Sequence, residues 1–181
     1  MTKNTLKLSA QALGTFLVVY VIFSCFVFLS AIKAADTGSV AATVTAQNIS
    51  LTVSDGTVAY GTVGLGSSQS TVATALNDSQ TATNTGNVSE NINIRGMNST
   101  SVGVGWTLAA TPGADVYTHK FCNSNCDSSP TWTALTLNNQ TLSATVGAGT
   151  SAPLFDLQLS TPTSSTSFDV QTVNVTVQAT L

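Results

Sequence analysis

The feature that most restricts the fold of this chain is a set of short blocks in which apolar and polar residues alternate. The clearest block runs through Val102, Val104, Trp106 and Leu108, and we expect Trp106 to lie at the centre of the core. Alternation with a period of two predicts half-buried β-strands, and Val, Ile and Thr, which favour strands, dominate these blocks. The other blocks are Val88/Ile92/Ile94, Tyr117/His119/Phe121, Leu142/Ala144/Val146, Phe155/Leu157/Leu159 and Val173/Val175/Val177/Ala179. About nine or ten short strands, spaced about 8–12 residues apart, predict an all-β antiparallel sandwich of jelly-roll or immunoglobulin-like topology.

Turn residues place further elements between these blocks. Asp55-Gly56 is a strong hairpin signal, so we expect residues 57–63 to return as a strand beside the one before the turn. Residues 64–70 are expected to form a loop and residues 71–76 a short strand. Glu90 shares the parity of its apolar neighbours, which predicts either an exposed strand start or an inward charge at a sheet edge.

An uncharged run at residues 13–32 follows two lysines and leads into small residues, the layout of an export signal. We predict that residues 1–35 are a signal peptide or an N-terminal membrane anchor and that residues 36–181 form a single sandwich domain. Cleavage after the alanine-rich stretch is favoured because the sequence then turns polar. A retained anchor is the alternative, since twenty apolar residues span about 30 Å of hydrocarbon. A prepilin-type cut after Gly14 is a third reading. The expected location is secreted or at the cell surface.

The charge of the exported part excludes several classes of partner. Its basic residues are Arg95 and Lys120 and its acidic residues number eight, so two minus eight gives a formal charge of −6. Two isolated cations cannot neutralise a nucleic-acid backbone or bind an acidic membrane surface. We therefore expect no nucleic-acid partner, and contact with a membrane only through the N-terminal segment.

Cys122 and Cys126 are the two cysteines of the exported part, and they are expected to form a disulfide in an oxidising compartment. The loop they close has five residues, for which chain entropy gives about 2 kcal/mol. A second reading makes these cysteines zinc ligands together with His119 and Asp127. The disulfide is preferred, so no metal or other cofactor is expected.

No arrangement of residues points to catalysis. His119 is the single histidine, and no serine lies in the sharp turn motif of a hydrolase nucleophile. The carboxylates are scattered without a spacing that selects a pair. We therefore expect a protein that is not an enzyme and has no catalytic residues.

Residues 42–63, 80–96 and 106–121 resemble small bacterial secreted β-proteins and, more loosely, the TasA/camelysin group of surface and biofilm-matrix proteins. The resemblance covers about the first half of the exported part. It implies a structural protein that assembles with copies of itself, or with other cell-surface components, by lending a strand. The HExxH motif of a metalloprotease is absent, so no protease activity is implied.

The expected lending segment is residues 40–53, which lies at the start of the exported part and is free to swing out. Its expected contact residues are Val44, Ala46, Ile49, Leu51 and Val53. The alternative function is a module that binds carbohydrate or peptide through its loops. Trp132, Tyr117 and Tyr60 would then supply aromatic platforms.

Overall fold

The computed structural model describes residues 20–22 and 37–181. Residues 20–22 are helical and exposed, and the predicted processing sites lie outside the described residues. Within the described part of the chain, no helix is both long enough and apolar enough to cross a membrane. The chain divides into two compact units, residues 1–44 and residues 45–181.

The second unit contains all the strands of the described chain, and it is the predicted all-β sandwich. In chain order the strands are β1 (Leu51–Val53), β2 (Ser68–Ser70), β3 (Ala82–Asn84), β4 (Glu90–Gly96), β5 (Thr107–Leu108), β6 (Val116–Cys122), β7 (Thr133–Ala134), β8 (Gln140–Val146), β9 (Asp156–Ser160) and β10 (Val175–Thr180).

The strands form two main sheets and a short ribbon. One sheet has the order β10-β4-β8, and the other has the order β2-β9-β6-β5 with β7 also paired to β6. The ribbon pairs β1 with β3, and isolated bridges from Gln80 to Phe155 and from Thr83 to Ser151 join it to the segment that precedes β9. All named strand pairs are antiparallel except β5–β6, which is parallel. The second sheet is therefore mixed.

The core lies between these layers and follows the predicted alternation. In β4, Ile92, Ile94 and Gly96 are buried, while Asn91, Asn93 and Arg95 between them are partly exposed. Ile92 and Ile94 pack with residues of β6, β8 and β9 in one cluster. Tyr117 and Phe155, not Trp106, are the fully buried aromatic residues of this cluster; Trp106 is partly buried at its margin.

The predicted hairpin after Asp55-Gly56 is wrong in its pairing. Both residues have positive φ (59° and 69°), as a tight reversing turn requires, but residues 57–63 form no strand. β1 pairs instead with β3, with Thr52 opposite Thr83. Turn chemistry fixes a reversal of the chain, and it does not fix which segment becomes the partner.

Two other predicted strands are also displaced. Residues 71–76 form turns in which Ala75 N and Asn77 N both donate to Val72 O, and the strand β2 lies just before them, in the predicted loop. Of the block from Val102 to Leu108, only residues 107–108 are in a strand. Ser99 N donates to Trp106 O (2.9 Å), which closes residues 100–105 into a loop and leaves Val102 and Val104 exposed.

Candidate functional site

A groove of about 1000 Å³ lies between residues 57–65 and residues 167–177. Its floor is part of the hydrophobic core: Phe155, Leu157 and Leu159 line it and are nearly inaccessible to solvent. The groove therefore opens directly onto the interior of the sandwich. Sequence analysis did not find it, because it is made by two segments more than a hundred residues apart.

The first wall of the groove is β10, an edge strand of the three-stranded sheet. Val175 lies opposite Gly96, and Gly96 N donates to Thr136 O (2.9 Å), away from β10. In an antiparallel pair this geometry identifies a non-hydrogen-bonded position. The N–H and C=O groups of Val175, and by alternation those of Val177 and Ala179, therefore point away from β4 towards the open edge. Among the described residues, no backbone group bonds to them there.

The side chains of the same wall are incompletely covered. Val175 and Val177 have the inward parity of Gly96 and Ile94, yet they are only partly buried and line the groove with Val173. Inward residues of a closed sandwich are normally buried against the opposite sheet. The partial exposure of these valines shows that the sandwich is open along β10.

The second wall is the segment 57–65. Val58 and Tyr60 pack against the core from one side of it, and Thr57, Ala59 and Gly61 face solvent. Within the described chain, residues 58–63 form no backbone–backbone hydrogen bond. Both walls thus present unpaired backbone groups, which is the arrangement that an added strand recognises.

Exposed apolar side chains stand at the rim of the groove. Phe168 and Val170 are 81% and 87% exposed, and Leu65 stands on the other side. Single exposed apolar residues are ordinary, but these lie together beside an apolar floor. The rim can therefore cover an apolar ligand seated in the groove.

Two polar rings lie at the base of the groove: His119 is buried and Tyr60 is partly buried. The hydroxyl of Tyr60 is 2.9 Å from Nε2 of His119, and Nδ1 of His119 has no partner among the described residues. Burial lowers the pKa of His119 to about 4. Burial, with a smaller effect from Asp78 and Asp156, raises the pKa of Tyr60 well above its ordinary value. Both rings are therefore neutral at physiological pH, and this part of the groove carries no charge.

The predicted lending segment divides into two parts in the structure. Leu51 and Val53 lie in β1, paired with β3 and packed against the core of their own chain. Residues 37–50, which precede β1, belong to no strand: Val44 is 96% exposed, and Ala46 and Ile49 are also exposed. Val40 is 94% exposed. We call residues 37–50 the arm.

Cys122 and Cys126 form the predicted disulfide, with Cα atoms 5.8 Å apart. The bridge packs with Val72 and the partly buried Trp132 in a small second cluster. Because the two sulfurs are bonded to each other, neither is free to bind zinc. In the described part of the chain, no three His, Cys, Asp or Glu side chains are placed to hold a metal ion.

The aromatic residues expected to form binding platforms are covered to different degrees. Tyr117 is fully buried and its hydroxyl donates to the carbonyl of Met97, so it offers no platform. Burial raises its pKa to about 12. Trp132 and Tyr60 are partly buried in apolar clusters. Core packing accounts for all three rings.

The groove and the arm therefore have to be interpreted from their own chemistry. The sequence resemblance to the TasA/camelysin group gains no support from comparison with known proteins. Neither a family model, nor a curated protein, nor a solved structure matches this chain.

Proposed function

We propose that this chain is an exported, non-catalytic structural protein of the cell surface or extracellular matrix. Its subunits assemble when the arm of one copy enters the groove of the next. The observation that carries the proposal is the groove with two unpaired backbone walls, present in a chain that also has an uncharged arm outside any strand. Export itself is expected from the apolar run at residues 13–32.

The arm has the pattern that such a groove requires. Val40, Ala42 and Val44 share one parity, so in an extended strand they lie on one face and can meet the apolar floor. The residues between them are small or polar and would face solvent. At about 3.3 Å per residue, the nine residues 37–45 span about 30 Å, matching a wall such as 57–65.

Charge favours the same pairing. The arm contains no charged residue, and among the described residues the groove lining contains no lysine or arginine and a single carboxylate, Asp169. An uncharged apolar strand can therefore enter without burying an unpaired charge. Each entry would also satisfy N–H and C=O groups along β10, which gives affinity that does not depend on side-chain identity.

The proposal is tested by Val44→Asp in the full chain, with Thr45→Asp as the matched control. Both variants add one charge to the arm, but only residue 44 has the parity of the apolar face. Sedimentation velocity and electron microscopy of the exported protein should show oligomers or filaments for wild type and Thr45→Asp, and monomers for Val44→Asp. Wild-type protein that stays monomeric at high concentration refutes self-assembly.

The site of entry is tested separately by cysteine pairing. Val44→Cys combined with Val177→Cys should give a disulfide-linked ladder between copies, whereas Met97→Cys in place of Val177→Cys should not. A disulfide within a single copy would mean that the arm fills its own groove. Assembly without any cross-link at residue 177 would place the contact elsewhere.

A further inference from the structure

The chain just before β1 is held by the loop that follows β3. Thr85 N and Gly86 N both donate to Ser50 O, at 2.8 and 3.1 Å, and Asn87 N donates to Asn48 O at 3.1 Å. These bonds continue the β1–β3 pairing beyond the strands themselves. The base of the arm, residues 46–50, is therefore attached to the domain although it is not a strand.

Asn87 extends this attachment with its side chain. Its Oδ1 accepts a hydrogen bond from Asn48 N (2.7 Å), and its Nδ2 donates to Ala46 O (2.8 Å). A side-chain amide offers one acceptor and two donors, so it can replace the peptide group of a neighbouring strand. The side chain of Asn87 thus extends the hydrogen bonding to residues 46–48 of the arm base, beyond the backbone bonds at Asn48 and Ser50.

Glu90 holds the same segment from the interior. Its side chain is only 1% exposed, and Oε1 accepts a hydrogen bond from Ser50 N (2.8 Å). The other oxygen, Oε2, is buried without a partner among the described residues. Burying a carboxyl oxygen without a hydrogen-bond partner is costly. The fold retains this costly group where it aligns Ser50.

Gly86 permits the close approach. A Cβ at this position would lie 2.3 Å from Asn48 O and 2.6 Å from Glu90 Oε1, distances that real Cβ atoms do not show. Any larger residue would have to push the arm base away from the loop. The sequence therefore places glycine, an amide and a carboxylate within five residues, and each contacts the same short segment.

We infer that Gly86, Asn87 and Glu90 form an anchor that holds residues 46–50, the base of the arm, and that they are positioning residues for donation of the arm. The inference rests on the proposed function. The anchor restricts the conformational freedom of residues 46–50 before assembly. Without it, these residues would be free and would have to be ordered each time the arm enters a neighbour. Ordering residues opposes association, so loss of the anchor should weaken donation by about tenfold or more.

The test uses Gly86→Ala and Asn87→Ala in the full chain. Their matched controls are Gly147→Ala, where an added Cβ makes only ordinary contacts, and Asn139→Ala, which removes one exposed hydrogen bond from the side-chain amide to Gln178. Amide hydrogen exchange at Asn48 and Ser50 should become faster in the two anchor variants and stay slow in the controls. Because Asn87 is exposed, we expect Asn87→Ala to fold, so amide exchange can be measured on it even if Gly86→Ala fails to fold.

A split between giving and receiving an arm distinguishes positioning from general damage. In a Val44→Asp background, which cannot donate, a synthetic peptide of residues 37–48 should bind equally well with or without Asn87→Ala. In the background with an intact arm, Asn87→Ala should raise the concentration needed for assembly by about tenfold. Faster amide exchange in Asn87→Ala with unchanged assembly would refute the positioning role and leave the proposed function standing. Unchanged amide exchange would refute the anchor itself. Absence of assembly in wild type would refute the proposed function, and the exchange measurement would still decide whether the anchor holds residues 46–50.

Discussion

Replacing His119 with glutamine converts the buried ring at the base of the groove into a side chain that does not titrate. The ring is 1% exposed, and its one hydrogen bond joins Nε2 to the hydroxyl of Tyr60 at 2.9 Å. Glutamine can still bond to that hydroxyl, because its amide offers both a donor and an acceptor. The substitution therefore isolates the effect of protonation.

The magnitude follows from the pKa. Burial lowers the pKa of His119 to about 4, whereas an unfolded histidine titrates near 6.5. The folded state thus favours the neutral ring, and in the interval between these values the unfolded state binds more protons. The contribution of the neutral His119 ring to the free energy of unfolding is fully present above pH 6.5, and it is lost as the pH falls from there through about 4. At 1.36 kcal/mol for each tenfold change in proton affinity, the loss is about 3 kcal/mol.

Urea unfolding at a series of pH values from above 6.5 to about 4 measures this loss. The carboxylates affect wild type and His119→Gln alike, so the difference in free energy of unfolding between the two proteins removes their contribution. That difference should move by about 3 kcal/mol in favour of the variant as the solution is acidified. A difference that stays constant over the whole range would refute the claim that the ring is held neutral by burial.

Three further predictions concern stability, each measured by urea unfolding. Replacing Cys122 and Cys126 together with alanine should cost about 2 kcal/mol, because the five-residue loop is no longer closed in the unfolded state; unchanged stability would contradict this. Ile94→Ala should cost about 2–5 kcal/mol because the side chain is fully buried, whereas Val102→Ala, at a fully exposed site, should change stability by less than about 0.5 kcal/mol. Gly96→Ala should cost about 1–3 kcal/mol, since the added methyl would lie 2.5 Å from a buried leucine methyl, and a neutral effect would mean that the core relaxes around it.

Local sequence predicts those features that depend on neighbouring residues alone. The alternation in residues 90–96 reflects the pleat of a strand, so β4 and its buried isoleucines are predicted correctly. Cys122 and Cys126 are four residues apart at a turn, which brings their Cα atoms to 5.8 Å, within the range of a disulfide. Asp55 and Gly56 adopt the left-handed backbone, which aspartate tolerates and which glycine, having no Cβ, adopts freely.

Local sequence does not predict which distant segments pair, because the backbone N–H and C=O groups that form the hydrogen bonds are the same in almost every residue. Val58 and Tyr60 alternate like a strand, yet their segment pairs with nothing in the described chain, while the polar residues of β2 pair with β9. Glu90 is buried because the arm base supplies a donor from forty residues earlier.

The sequence by itself determines a sandwich with a bridged loop and an uncharged apolar arm, because those properties follow from side-chain spacing and charge. The tertiary structure decides that the sandwich is open along β10. Val175 and Val177 have the same inward parity whether or not another strand covers them, and only the arrangement of the two sheets leaves them beside an unfilled groove.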